Sequence, residues 1–289
     1  MDYVIHLLIM INIYLILAYA NNLLVGFSGL LTLSSAVFYG IGAYSTALLM
    51  MKLNVSFLPA IMLSIFISGI VAFLFSFPAL RFRGDYFVLV TLGLQIIFFS
   101  VIYNWIDLTN GPYGITGIPR PDIFGYIVNS TYEYLLLFAF ISILLILFLF
   151  ILYSSPFGIT LKSLRDNEVA GESLGKSAFK YFRLAFVISG AVSAVAGGFY
   201  ATYITYIDPT SFTLDESIFI LLILLIGGSG NKIGALVGTV FMVLLPEILR
   251  FVGLPDSIAA NMRQIIYGVL IILLMYFRPQ GLYGDFKLK

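Results

Sequence analysis

The chain has 289 residues, of which 61% are hydrophobic and 10% charged, with a formal net charge of +1. Soluble domains carry about 25% charged residues, so the composition excludes an ordinary soluble globule, and no basic face with interleaved aromatics offers a nucleic-acid surface. The absence of cysteine excludes a disulfide framework, a thiol nucleophile and a Cys-based metal site.

The apolar residues come in long unbroken runs. Residues 61–80 contain no charge, and 135–152 contain neither charge nor Gly nor Pro. A helix needs about 20 mostly apolar residues to cross a bilayer. The runs predict an all-α, polytopic membrane bundle of about 8–10 transmembrane segments, some broken or re-entrant. It forms a single transmembrane domain over 1–289. In chain order the expected spans are 4–20, 23–50, 57–80, 86–103, 134–152, 184–206, 217–230, 233–250 and 265–277. The first lacks a basic leader and a small-residue cleavage pattern, so it reads as a retained span. His6, near its outer end, reads as an interfacial residue, because no second His exists to share a metal.

The second run is interrupted by Gly26, Gly29, Gly40 and Gly42. It is either one tilted helix or a broken one, since irregular backbone at membrane depth survives only when buried in protein or lining a cavity. The turn Arg81-Phe82-Arg83-Gly84-Asp85 reads first as a short turn with snorkelling arginines, and second as a contact with a soluble partner. Residues 104–133 and 207–216 are the loops large enough to receive such a partner on the other side. The first is rich in Gly and Pro, and Asp208, Asp215 and Glu216 give the second an acidic character.

The loop 154–183 is the most informative polar stretch. Pro156 and Gly158 end the fifth span, and 159–175 reads as one amphipathic helix with Gly175 as its C-cap. Helices that rest on lipid are Lys/Arg-rich on their polar face. This one mixes Asp166, Glu168 and Glu172 with its bases, which suits a protein surface. Arg165 and Glu168 share a helix face, and Leu164 and Leu174 are expected against apolar surface. Near the end, Gly227, Gly228 and Gly230 break 217–250 into two helices or a re-entrant hairpin and a span. Gly26/Gly29 and this trio read either as close helix packing or as unwound backbone along a pathway.

If the 154–183 loop is cytoplasmic and nine spans alternate, 11 of the 15 basic residues fall inside and 4 outside. That bias fits the positive-inside rule and puts the C-terminus in the cytoplasm. Charge is absent from the centres of the first six spans. Ser34, Ser35, Thr91 and Gln95 are the polar exceptions, with Asn21 and Asn22. Ion coupling needs an intramembrane ionisable residue, so the pattern points to translocation driven from outside the membrane.

Five ordered motifs carry a resemblance. They are Arg165-Asp166-Asn167-Glu168-Val169-Ala170 with Glu172-Ser173-Leu174-Gly175; Leu80-Arg81-Phe82-Arg83-Gly84-Asp85-Tyr86-Phe87 with Val90-Thr91-Leu92-Gly93; Thr109-Asn110-Gly111 with Gly114-Ile115-Thr116-Gly117-Ile118-Pro119; Ile226-Gly227-Gly228-Ser229-Gly230 with Gly234 and Gly238; and Arg278-Pro279-Gln280-Gly281-Leu282. Together they resemble the M-type (LivM-like) permease subunits of branched-chain amino acid ABC importers, over nearly the whole chain. The resemblance implies a prokaryotic inner or plasma membrane and inward transport of Leu, Ile or Val. It also implies a paralogous permease as heterodimer partner, two cytoplasmic ATPases and an extracytoplasmic binding protein. Arg165, Asp166, Asn167, Glu168, Glu172 and Gly175 would form the ATPase-coupling loop, with Arg81, Arg83 and Asp85 as a second cytoplasmic contact. Ser34, Ser35, Thr91, Gln95, Gly227, Gly228 and Gly230 are candidates for the substrate path. Gly228-Ser229-Gly230-Asn231-Lys232 has the wrong spacing for a phosphate loop, so ATP and Mg would be used by the partner subunits, and no cofactor, metal or catalysis is expected in this chain. The same architecture carrying urea, short amides or other small amino acids is the alternative, and a secondary transporter or channel is a further one.

Overall fold

In the computed structural model the first helix, α1 (Asp2–Asn22), runs on through a π turn, Leu23–Phe27, without a loop between them. The structure describes residues 2–123, 125–251, 266, 268, 269, 272 and 281–283. The last expected span, 265–277, lies largely outside these, as do Arg278, Pro279 and Gln280. The expected loop between the first two spans is therefore displaced. The interruption falls at 28–34, where the Ser28 hydroxyl and the Leu30 N–H bond the Leu23 and Leu24 carbonyls and Gly29 takes φ 71°. These bonds satisfy carbonyls that the next helical turn would have used.

There follow α2 (Ser35–Lys52), α3 (Phe57–Ala79) and α4 (Asp85–Asn104). A one-turn helix, α5 (Ile106–Thr109), opens a loop that contains β1 (Ile115–Thr116) and the hairpin β2 (Asp122–Ile123) and β3 (Tyr126–Ile127). A capping box starts α6 (Thr131–Ser154): the Ser130 hydroxyl accepts from the Glu133 N–H, and the Glu133 carboxylate accepts from the Ser130 N–H. Ser155 caps α7 (Pro156–Asp166), with Pro156 at its first position.

Next come α8 (Glu168–Ser173), α9 (Ala178–Ile204), β4 (Tyr206–Ile207), α10 (Leu214–Gly227) and α11 (Lys232–Phe251). α9 begins before the apolar run it contains. Its basic first turns stay helical because Arg183 lies over the rings of Phe73, Phe77 and Phe179.

Six described segments are long and apolar enough to cross a bilayer: Asp2–Phe27, Phe57–Ala79, Asp85–Asn104, Thr131–Ser154, Ala178–Ile204 and Pro209–Gly227. The chain is an all-α, multi-pass membrane bundle. α9 is its centre, with α2 and α3 packed along it. The contact is made by small residues: Gly42 faces Ala194, Gly197 faces Tyr39 and Ala43, and Gly190 faces Ala72 and Phe38. Lipid tails are as apolar as side chains, so helices gain by close packing rather than by escaping water. By contrast, α6 turns Phe140, Ile143, Leu147 and Ile151 outward, and α3 does the same with Met62, Phe66 and Leu74. These are the exposed apolar faces of the described chain.

Candidate functional site: two helix starts inside the bundle

α2 and α10 both begin inside the bundle, and α4 joins their starts. Gln95 lies midway along α4. Its Nε2 donates to the Phe212 carbonyl at 2.8 Å, just before α10, and its Oε1 accepts from Ser217 Oγ at 3.1 Å. Ser217 Oγ also accepts the Ala36 N–H, in the first turn of α2, at 2.9 Å. One turn nearer the start of α4, Thr91 Oγ1 accepts the Leu33 N–H at 3.1 Å. Thr32 and Ser34 exchange a hydroxyl bond at 2.9 Å, and Ser35 opens α2, itself buried.

Four of the residues singled out from sequence thus share one polar cluster, which adds Ser217. The irregular stretches 28–34 and 205–213 enter from opposite ends and meet there. Each helix start carries a partial positive charge, and at α2 the Ala36 N–H is taken up by Ser217. Such a cluster can hold a small polar group briefly without a fixed charge.

Glu216, beside Ser217, does not belong to an exposed acidic loop. One of its carboxylate oxygens is buried without a hydrogen-bond partner among the described residues, and the Tyr14 hydroxyl bonds the carboxylate. Sequence reading left Glu216 outside because it borders the apolar run. Its position in the first turn of a helix that starts inside the bundle turns it inward.

The late glycines fall elsewhere. Gly227 sits against Gly238, and a Cβ on Gly227 would lie 2.9 Å from the Gly238 Cα. Gly228 and Gly230 take φ 105° and 80° in the turn between α10 and α11. The Gly230 N–H donates to Asn22 Oδ1 at 2.9 Å, and Asn22 Nδ2 to the Asn231 carbonyl at 3.0 Å. This is a turn locked onto the end of α1, at the opposite end of α10 from Ser217. The residues grouped from sequence as one path therefore occupy two places.

The 154–183 loop is two helices rather than the single one expected over 159–175. Asn167 takes φ −153°, ψ 99°, and its Oδ1 accepts the Ala170 N–H at 3.0 Å, capping α8. An Asn that bonds its own backbone ends one helix and starts the next. Gly175 takes φ 78° just past α8. Leu164 is buried as expected, and Gly171 packs on it, whereas Leu174 is 77% exposed.

Arg165 does not present a surface with Glu168. Its guanidinium turns inward, donates to the Gly26 carbonyl in the π turn and pairs with Asp166 at 2.8 Å. Its side-chain methylenes pack on Gly29. Glu168 instead pairs with Arg83, whose guanidinium also lies over Phe182. The turn before α4 is thus tied to α8. Asp85 sits in the first turn of α4, where a carboxylate is favourable, and Arg81 and Glu172 are exposed.

At the opposite end, β1 pairs with β4, with Ile115 opposite Ile207, and the Gly117 and Ile118 N–H groups both donate to the Thr205 carbonyl. The two large loops form one platform. His6 lies under it: Nδ1 is 2.8 Å from the Tyr203 hydroxyl, and the rings stack at 5.6 Å. No group of three potential metal ligands exists among the described residues.

Residues 3–275 match the family described as branched-chain amino acid transport system, permease component. The high-affinity branched-chain amino acid transport permease LivM of Salmonella typhimurium is 35% identical over 94% of this chain and 68% of its own length. The Escherichia coli K12 LivM is 33% identical over 93% of this chain and 67% of its own. The guanosine transporter permease NupQ of Bacillus subtilis is 30% identical over 56% of this chain and 54% of its own. No solved structure matches. With most of its length matched by the family and by these relatives, the chain belongs to the permease components of branched-chain amino acid transport systems.

Proposed function

We propose that this chain is the M-type permease subunit of an ATP-driven importer that carries Leu, Ile and Val-type amino acids inward across a prokaryotic plasma membrane. α7 and α8 lie on the cytoplasmic side, with the C-terminus, and the β1–β4 platform lies outside. The platform receives a binding protein; a paralogous permease completes the pathway; two ATPases hydrolyse ATP with Mg. The chain itself performs no chemistry.

One observation carries the coupling route. Arg165, at the end of α7, holds the Gly26 carbonyl in the π turn that leads into 28–34 and so to Ser34 and Ala36. Motion imposed on α7 and α8 by an ATPase therefore reaches the start of α2 directly. There a helix N-terminus can meet the carboxylate of an amino acid, as half-helix N-termini do in other transporters. Exposed Val169, Glu172 and Leu174 on and just past α8 form the face offered to the ATPase.

The test is ATP hydrolysis by the complete reconstituted complex. Leu, Ile and Val, delivered by the binding protein, should each stimulate it. They should differ modestly, since one methylene in an apolar pocket changes discrimination by about 1–3 kcal/mol. Relatives in this family include a guanosine permease, so urea, short amides and guanosine belong in the same assay. Stimulation by one of these and none by Leu would reject the substrate.

A further inference from the structure

A cavity of about 660 Å³ opens at the α7 end of the bundle, between the end of α1, the ends of α6 and α7 and the start of α11. Two ammonium groups line it. Lys162 Nζ stands 4.7 Å from the centroid of the Phe27 ring, and Lys232 Nζ 5.3 Å from that of Phe150 and 2.6 Å from Ser154 Oγ. None of the described residues lining the cavity is acidic, and neither lysine is in an ion pair among the described residues.

The walls are fixed. The Phe27 and Tyr153 rings stack at 4.2 Å, and the Tyr19 hydroxyl donates to the Lys232 carbonyl at 2.6 Å. α11, twenty residues long, begins at the cavity and adds its positive end. Beyond the lysines, along α11, Ile233 is 56% exposed and Leu236 45%. A polar, doubly cationic recess thus continues into an exposed apolar strip.

We propose that this recess binds the phosphate of an anionic phospholipid of the cytoplasmic leaflet. The phosphate oxygens accept from Lys162 and Lys232, and an acyl chain lies along Ile233 and Leu236. The proposal rests on the orientation given under Proposed function, which puts α7 at the cytoplasmic surface. Basic recesses between helices at that surface suit anionic headgroups. A choline headgroup brings its own cation against two ammonium groups and is disfavoured. A soluble phosphate ester satisfies the lysines and leaves the apolar strip unused. Because Lys162 belongs to α7 and Lys232 to α11, the lipid would join the coupling helix to the last described helix.

The test is native mass spectrometry of the full-length chain with phosphatidylglycerol, phosphatidylcholine or glycerol 3-phosphate added. We expect preferential retention of one phosphatidylglycerol. Neutralising one lysine, by Lys162→Gln or Lys232→Gln, should weaken retention about fivefold and the pair about thirtyfold, from about 1 kcal/mol per basic residue near an anionic surface. Lys162→Arg and Lys232→Arg should retain the lipid, and unfolding temperatures would show that the Gln variants are folded. Equal retention of phosphatidylcholine overturns the proposal, as does an unaltered double Gln variant. Glycerol 3-phosphate bound as tightly as the lipid assigns the recess to a soluble phosphate and also overturns it. So does a cysteine at Ile233 that cross-links quantitatively to the partner permease in the assembled complex, since the face would then be an interface. Labelling of a cysteine at Ser163 from outside the cell would instead reject the orientation, separately from the headgroup chemistry.

Discussion

Ser217 closes the polar cluster with one hydroxyl, accepting from the Ala36 N–H and donating to Gln95 Oε1. Ser217→Ala leaves a buried N–H and a buried amide oxygen short of a partner, a deficit of about 1–3 kcal/mol. The variant should lower the unfolding free energy of the purified chain by that amount. Ser173→Ala, at an exposed position, should stay within about 0.5 kcal/mol. Equal stability of the two variants would show that the cluster does not hold the two helix starts together. At this scale the sequence was half legible. Ser34, Thr91 and Gln95 stood out as polar residues in apolar runs, and the structure gathers them. Ser217 and Glu216 did not, because a polar residue at the edge of a run has no periodic signal that says which way it faces. Only the start of α10 inside the bundle decides it.

Helix breaks were legible as composition and illegible as position. Glycines marked the second run as interrupted, yet Gly40 and Gly42 lie inside α2. Gly42 serves close approach to Ala194 instead, while the break falls at 28–34 around Gly29. Glycine supports both close packing and unwinding, so its presence alone cannot separate them. α7 and α8 show the converse. Asn167 was visible as a residue but not as a cap, since the apolar spacing on either side remains helical. The break matters because it brings Glu168 to Arg83 rather than to Arg165. Charge reversal tests this arrangement. Glu168→Lys should lower substrate-stimulated ATP hydrolysis by the assembled complex, and Arg83→Glu in the same chain should restore most of it. The pair is roughly a third to two-fifths exposed, so its effect on folding should be small. A double variant no better than Glu168→Lys would mean that Glu168 acts on the ATPase itself.

At the scale of the whole chain, hydropathy identified a multi-pass bundle because the bilayer imposes a length that local chemistry cannot evade. Of the nine expected spans, however, 23–50 is broken at 28–34 and 265–277 lies largely outside the described residues. Hydropathy could not reveal that the two large loops are one platform. Two-residue strands at 115–116 and 206–207 leave no alternation to read, and their pairing is set by where α4 and α9 end. That platform and the α7–α8 pair lie at opposite ends of the bundle, so the orientation can be tested with one label on each. The chain contains no cysteine, which leaves the background clean. A single cysteine at Asn110, exposed beside the platform, should react with a membrane-impermeant maleimide in intact cells. One at Ser163, exposed on α7, should react only after the membrane is opened. The nine-span alternation expected from sequence predicts this sense, because it assigns 11 of the 15 basic residues to the cytoplasm. Labelling of Ser163→Cys in intact cells, with Asn110→Cys protected, would invert the molecule. It would put the Arg165 tether beyond the reach of any cytoplasmic ATPase and remove the coupling route with it.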